Sequence, residues 1–404
     1  MFNRNSRVSL LSAVCLLTTS GGVLAQQTVV SGGSTLSGPF YLDEIAQFPL
    51  PTFKPYVSVG SGTGKFAFLT NNAAYLGSSG AVHWIASESI LTRQQIVDYL
   101  SPAGLGKYGN PAGHGPLIQI PAMATPVTIS YKGPTGTVTL TKAQLCGLAS
   151  GKYTRWSELG VAVPAGLDHF KFVFRIDSSG TTELLTRHLQ AVCGVDSSIA
   201  FTGKSVFAQE FPGGVLPANF MQAAGSSGVA SVMGAQVSAI TYLGPDPAYT
   251  ATLKQANLRN SNDNVAYSPT AANVDLALET SGSAGLPGSA PTVTDPNALG
   301  WDNINNAGNP ANWVRLSANP MQGYPISGRS NLVLSQCYAS AAVAADIKNF
   351  LVRHYAPNIL LDNHKLVPLS PVYRAAITRV FVTGDAKNLN IGNATVCANY
   401  AGRE

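Results

Sequence analysis

The residues with the most to offer chemically lie in RIDSSGTTELLTRHL, residues 175–189. Arg175 carries a planar, two-pronged donor suited to oxyanions. Four residues on, Ser179, Gly180 and Thr181 stand at the entrance of a helical pattern. The first turn of a helix has backbone N–H groups without partners and a partial positive charge. An anion can satisfy both, and Gly180 lets one approach the backbone closely. The plainer reading is a Ser/Thr cap, with Arg175 paired to Asp177.

Three further loops have the same small, hydroxyl-rich character. They are Ser34-Thr35-Leu36, Ser61-Gly62-Thr63-Gly64 and Ser87-Glu88-Ser89. GSGTGK at 60–65 fails as a nucleotide P-loop, because Val59 stands where a glycine is needed and Phe66 where Ser or Thr is needed. It remains a small loop offering Ser61 and backbone N–H groups. A carboxylate such as Glu88 beside an anion site is useful if the anion carries a proton. It accepts that hydrogen bond and repels an anion that lacks it. Alone, each loop could equally be a solvated turn.

A hydrolytic nucleophile is harder to find. G-x-S-x-G does not occur. The six histidines fall in unrelated contexts, and His83 and His188 read as structural. C-x-x-C and H-E-x-x-H are both lacking, so neither a metal site nor a cofactor is expected.

These loops need elements to hold them. Short β-branched runs at 28–36, 56–60, 82–87, 116–132 and 170–176 read as strands. TLTKAQLCGLASG (139–151), 180–190 and 340–356 read as helices, and 228–244 as a helix followed by a strand. This alternation predicts an α/β protein with mainly parallel sheets, whose ligands sit beyond the carboxyl ends of the strands. Pro121 and Pro126 interrupt the 116–132 stretch, so that strand can pass from one lobe to another. Residues 280–312 are rich in Gly, Pro, Asn and Ser without a period and read as a long surface loop.

Arg4 and Arg7, an apolar run at 8–18 and Val23-Leu24-Ala25 make a secretory leader cleaved after Ala25. Charged residues are only 11% of the 404, and no Lys/Arg run reaches five, so nucleic acid is not an expected partner. Cys15 goes with the leader. Cys146, Cys193, Cys337 and Cys397 remain. An even number in an exported chain predicts two disulfides. Three pairings are possible, and proximity in sequence favours Cys146–Cys193 with Cys337–Cys397.

GGSTLSGPFY (32–41), VGSGTGKFAFLTNN (59–72), VHWIASES (82–89), LCGLASGKYTRW (145–156), RIDSSGTTELLTRHL (175–189), AGSSGVASVM (224–233) and GYPISGRSNLVLSQCY (323–338) together resemble the bacterial phosphate-binding proteins that serve the phosphate ABC transporter. They resemble the DING branch more closely, and the resemblance spans nearly the whole mature chain. The resemblance implies a type II periplasmic-binding-protein fold, with two α/β lobes, hinge strands and phosphate in the cleft. It implies 26–122 and 251–404 in lobe I and 123–250 in lobe II. It also implies Thr35, Leu36, Ser61, Glu88, Arg175, Ser179, Gly180 and Thr181 as phosphate ligands, with Glu88 where the family has aspartate. The four cysteines match that branch's two bridges. The implied protein is an exported monomer that binds inorganic phosphate, with a transporter permease as a possible partner. Some DING-like proteins are described as low-molecular-weight alkaline phosphatases. On that alternative Glu88 is a base, Ser61 a nucleophile and Arg175 a stabiliser of the transition state.

Overall fold

The computed structural model describes residues 28–107, 110–280, 286–288, 301–314 and 316–404. The expected leader and its cleavage site lie outside the described residues, as does most of the expected loop at 280–312.

The strands are β1 (Ser31–Gly33), β2 (Val57–Ser58), β3 (Trp84–Ser87), β4 (Leu117–Pro126), β5 (Thr128–Lys132), β6 (Thr139–Leu140), β7 (Lys171–Arg175), β8 (Phe220–Ala223), β9 (Ala239–Leu243), β10 (Lys254–Gln255), β11 (Asn257–Arg259), β12 (Ala266–Tyr267) and β13 (Ser327–Ser335). They form two five-stranded sheets, ordered β2-β1-β3-β13-β4 and β10-β5-β9-β7-β8, with a small sheet β12-β11-β6 beside the second. The helices that matter below are α1 (Gly38–Gln47), α2 (Ser61–Leu69), α3 (Arg93–Tyr99), α4 (Lys142–Ala149), α5 (Gly180–Val192) and α6 (Gly225–Ala235).

In each large sheet four strands run one way and one runs against them. The reversed strand is β13 in the first sheet and β5 in the second. The reason is topological. Both reversed strands begin at the hinge and run away from the cleft, whereas β1, β2, β3, β7, β8 and β9 run toward it. The chain leaves the first sheet between Pro126 and Thr128 and re-enters it at Ser327, after Ala307, Trp313 and Val314 have joined the lobe I core. The two crossings lie side by side, with Pro126 opposite Ser327 and the Val127 N–H donating to Ile326 O at 2.8 Å.

Lobe I is built around Trp84, which stacks on Phe350 at 4.8 Å, with Tyr41 packed edge-on to it. Lobe II has its own core of Trp156, Phe172, Phe207 and Tyr242. Burying one such side chain is worth about 1.5–3 kcal/mol, so each lobe has a core of its own. Thr141 caps α4 in a capping box with Gln144. Disulfides join Cys146 to Cys193 in lobe II and Cys337 to Cys397 in lobe I. The expected boundary at residue 250 falls too early. β10 pairs with β5, and β11 with β6 and β12, so lobe II continues to Tyr267. Strands of two or three residues are too short to show a period in the sequence.

Candidate functional site

All four loops singled out in the sequence follow strands that run toward the cleft. On the lobe I side, β1 ends at Gly33 and the chain turns through Ser34-Thr35-Leu36 into α1. β2 leads through Gly60, at φ +93°, into α2 at Ser61. β3 leads directly into Glu88, which is buried at 2% exposure. Glu88 accepts hydrogen bonds from Ser34 Oγ at 2.6 and 2.7 Å, from Ser61 Oγ at 3.1 Å and from Ser37 Oγ at 3.3 Å. Lys65 of the GSGTGK loop is drawn into lobe I, where it donates to Ile90 O at 3.2 Å. Burial pushes its ammonium below the usual lysine range.

On the lobe II side, β7 ends in Arg175, which is also 2% exposed. Its Nε donates to Asp177 Oδ1 at 2.7 Å, and its Nη2 to Asp177 Oδ2. Burial alone would raise the Asp177 carboxyl. The bonds and charge of Arg175, with the Gly225 N–H at 3.0 Å, outweigh it and hold the carboxyl below its ordinary value. Tyr242 supports the same corner. Its hydroxyl accepts from the Arg175 N–H at 3.1 Å and shares a bond with Thr182 Oγ1 at 2.8 Å. Burial pushes that phenol up to about 12. Ser179 is the N-cap of α5, accepting from the Thr182 N–H at 3.2 Å. Thr181 is buried, at 2% exposure. The plainer readings of this stretch, a capping serine and an Arg175–Asp177 pair, are therefore both present within the cluster.

The two halves meet. A methyl group placed on Gly180 would lie 2.6 Å from Ser61 Oγ and 2.7 Å from Glu88 Cβ, so the N-terminus of α5 abuts the lobe I acid. Thr35 Oγ1 and Ser226 Oγ share a hydrogen bond at 2.9 Å, and Arg175 Nη1 reaches Ser226 Oγ at 3.5 Å. The Tyr249 hydroxyl donates to Thr35 O at 2.9 Å. The Gly62 N–H donates to Ser178 O at 3.0 Å.

Leu36 is placed differently from the other named residues. Its side chain is fully buried, and its N–H donates to Ser34 Oγ at 3.1 Å. Sequence reasoning named Ser34 only as part of a hydroxyl-rich loop and passed over Ser37, Ser226 and Tyr249. Small hydroxyls after strands were the available signal for the serines, and Ser226 lies within a stretch already quoted. His83 and His188 are buried and pushed down to about 4 by that burial. They bond to Val30 N–H and Ala318 O. Among the described residues, no group of three or more His, Cys, Asp or Glu side chains is placed to hold a metal ion.

The PBP superfamily domain matches residues 18–290. The chain is 36% identical to alkaline phosphatase L of Pseudomonas aeruginosa, with both chains covered in full. Its fold overlays a phosphate-binding protein from Stenotrophomonas maltophilia at 32% identity and TM-score 0.75, covering 93% of this chain and 99% of that one. The chain belongs to the phosphate-binding protein family. A high-affinity periplasmic member of this family, the DING protein PfluDING with bound phosphate, is 30% identical with a TM-score of 0.75. It is covered in full, and 94% of this chain is matched. The family fold thus accounts for nearly every described element, including both lobes and the hinge between them.

Proposed function

We propose that this chain binds inorganic phosphate, as monohydrogen phosphate, between its lobes. The single observation that carries the reading is the meeting of opposite chemistries across the cleft. The Arg175 guanidinium and the start of α5 come from lobe II, and the Glu88 carboxylate with its serines from lobe I. Thr35, Ser61, Arg175, Ser179, Gly180 and Thr181 would donate to phosphate oxygens. The Leu36 N–H would turn from Ser34 Oγ to the ligand. Glu88 would accept the phosphate proton and disfavour sulfate, which has none at neutral pH. Closure of the lobes over the anion would couple binding to hinge motion.

Two disulfides and the leader-like N-terminus favour export, with cleavage after Ala25. Delivery to a transporter permease belongs to the same reading. The test is calorimetric titration of phosphate and sulfate into phosphate-stripped mature protein, with Glu88→Gln and Arg175→Ala beside it. Tight phosphate binding that exceeds sulfate and collapses in Arg175→Ala is the expected outcome. Absence of phosphate heat overturns the reading.

One observation favours a second reading, a phosphomonoesterase or phosphodiesterase on the same scaffold. Ser61 Oγ lies 3.1 Å from Glu88 Oε2, within reach for a nucleophile and its base. A relative named alkaline phosphatase L points the same way. Yet Glu88 is shared with Ser34 and Ser37, so nothing singles out Ser61 for deprotonation. Hydrolysis of a chromogenic phosphomonoester by the same samples decides. Turnover lost together in Ser61→Ala, Glu88→Gln and Arg175→Ala would make the protein an enzyme.

A further inference from the structure

Glu88 is held by an unusually complete set of hydroxyls, and Ser34 stands apart within it. Ser34 is fully buried and straddles the carboxylate, 2.6 Å from Oε1 and 2.7 Å from Oε2. Its own oxygen already receives the N–H groups of Leu36 at 3.1 Å and Ser37 at 3.3 Å. A serine hydroxyl has one hydrogen and two lone pairs. With the Ser37 N–H, and before a ligand arrives the Leu36 N–H, on those lone pairs, that hydrogen is directed at Glu88. The backbone entering α1 therefore aims the hydroxyl, and the hydroxyl aims the acid. Ser37 approaches Oε1 at 3.3 Å and Ser61 approaches Oε2 at 3.1 Å. A carboxylate offers about four lone-pair sites. Ser37 also meets Ser330 Oγ at 3.2 Å, and Ser61 turns to the ligand in the phosphate complex, so acceptor sites remain for a further donor.

We propose that Ser34, assisted by Ser37, is a specificity-determining positioning residue. It holds the Glu88 carboxylate in the orientation that leaves one acceptor site facing the cleft, so that only an oxyanion carrying a proton is matched there. This inference rests on the phosphate reading. A free glutamate has three side-chain torsions, and holding them in one orientation has an entropic cost. Without Ser34 the carboxylate could swing aside, and an unprotonated anion would no longer meet a fixed acceptor.

The test is the ratio of sulfate to phosphate dissociation constants, measured by calorimetry at one pH. It compares wild type, Ser34→Ala, Ser37→Ala, Glu88→Gln and the double variant Ser34→Ala/Glu88→Gln. Ser34→Ala is expected to lower the preference for phosphate about tenfold, and Ser37→Ala about threefold. In the Glu88→Gln background Ser34→Ala should change the ratio by less than about twofold, because a residue acting through another has no effect once that other is changed. A loosened cleft would weaken both anions alike and leave the ratio untouched, which overturns the proposal. So does an equal ratio change with and without Glu88. Thermal melts check folding. Ser37 makes no capping bond to α1, so Ser37→Ala remains decisive should Ser34→Ala not fold. An unchanged ratio in Ser37→Ala then counts against the proposal. Wild-type protein that takes up no phosphate refutes the phosphate reading itself. Normal phosphate uptake with an unaltered ratio in Ser34→Ala refutes the positioning role alone.

Discussion

Gly62→Ala isolates lobe closure from everything else. Gly62 lies in the first turn of α2, and its φ is not among the positive values. Alanine is thus acceptable to the backbone and favours the helix by up to about 1 kcal/mol. The obstacle lies in the other lobe. A methyl there would be 2.4 Å from Ser178 Cβ and 2.2 Å from Ser178 Oγ. Carbon atoms rest about 3.8 Å apart, so the lobes must part locally by about 1.4 Å. At that separation the Gly62 N–H to Ser178 O bond of 3.0 Å and the Thr35–Ser226 bond of 2.9 Å are both broken. Two such bonds are worth about 2 kcal/mol together, or about thirtyfold in affinity. Ligand bonds stretched by the same opening add to that. The expected result is phosphate binding at least about thirtyfold weaker by calorimetry, with an unliganded melting temperature equal to or above wild type. Small-angle scattering with phosphate present should show a more open shape. Binding within threefold of wild type would refute the assignment of Gly62 and Ser178 to the closure surface.

Arg175→Lys should weaken phosphate binding at least about tenfold, since a single ammonium nitrogen lacks the planar fork with which Nε and Nη2 face Asp177 while Nη1 points toward Ser226. Titration within threefold of wild type would show that the fork is dispensable. His364 bonds Asp246 at 2.7 Å, beyond β9, and Asp43 of α1 at 3.1 Å, and so ties the two lobes. The Asp246 hydrogen bond, partly opposed by burial and aided by Asp43, raises its pKa. Its stabilising effect is therefore complete below the ordinary histidine value of about 6.5 and lost as pH climbs through the raised value. Melting temperature should fall more between pH 6 and 9 in wild type than in His364→Asn, and parallel profiles would contradict this. Cys337→Ser/Cys397→Ser opens a link between residues 60 apart, worth about 4 kcal/mol in the unfolded chain. Denaturant melts should show that loss while phosphate affinity stays the same, because the bridge joins lobe I residues away from the cleft loops.

Much of the candidate site was legible because the residue types that suit an anion lie close together in the chain. Arg175, Ser179 and Gly180 stand within six residues of one another. The rest needed partners far along the chain. Thr35 and Ser226 are 191 residues apart, and no period or spacing links them. Ser34 looked like one more turn serine until Glu88, 54 residues on, came to rest against it. Asp177 could be read as the partner of Arg175, and is. What the sequence could not show is that this pair sits inside the cluster rather than replacing it. The end of lobe II was misplaced for a related reason, since β10, β11 and β12 draw their identity from the strands they join.

The adjacent hinge crossings set an order of assembly. Lobe II draws its strands from the stretch Val127 to Tyr267, and Tyr324 and Ile326 join from beyond it to complete its core. Lobe I waits longer. Its sheet lacks β13, which lies between β3 and β4, until residue 335 has been made. Phe350, which stacks on Trp84, arrives later still, and Cys397 later again. The described residues from Thr28 onward thus belong to the lobe whose core is completed last, and the lobe in the middle of the chain can be compact before the lobe that precedes it.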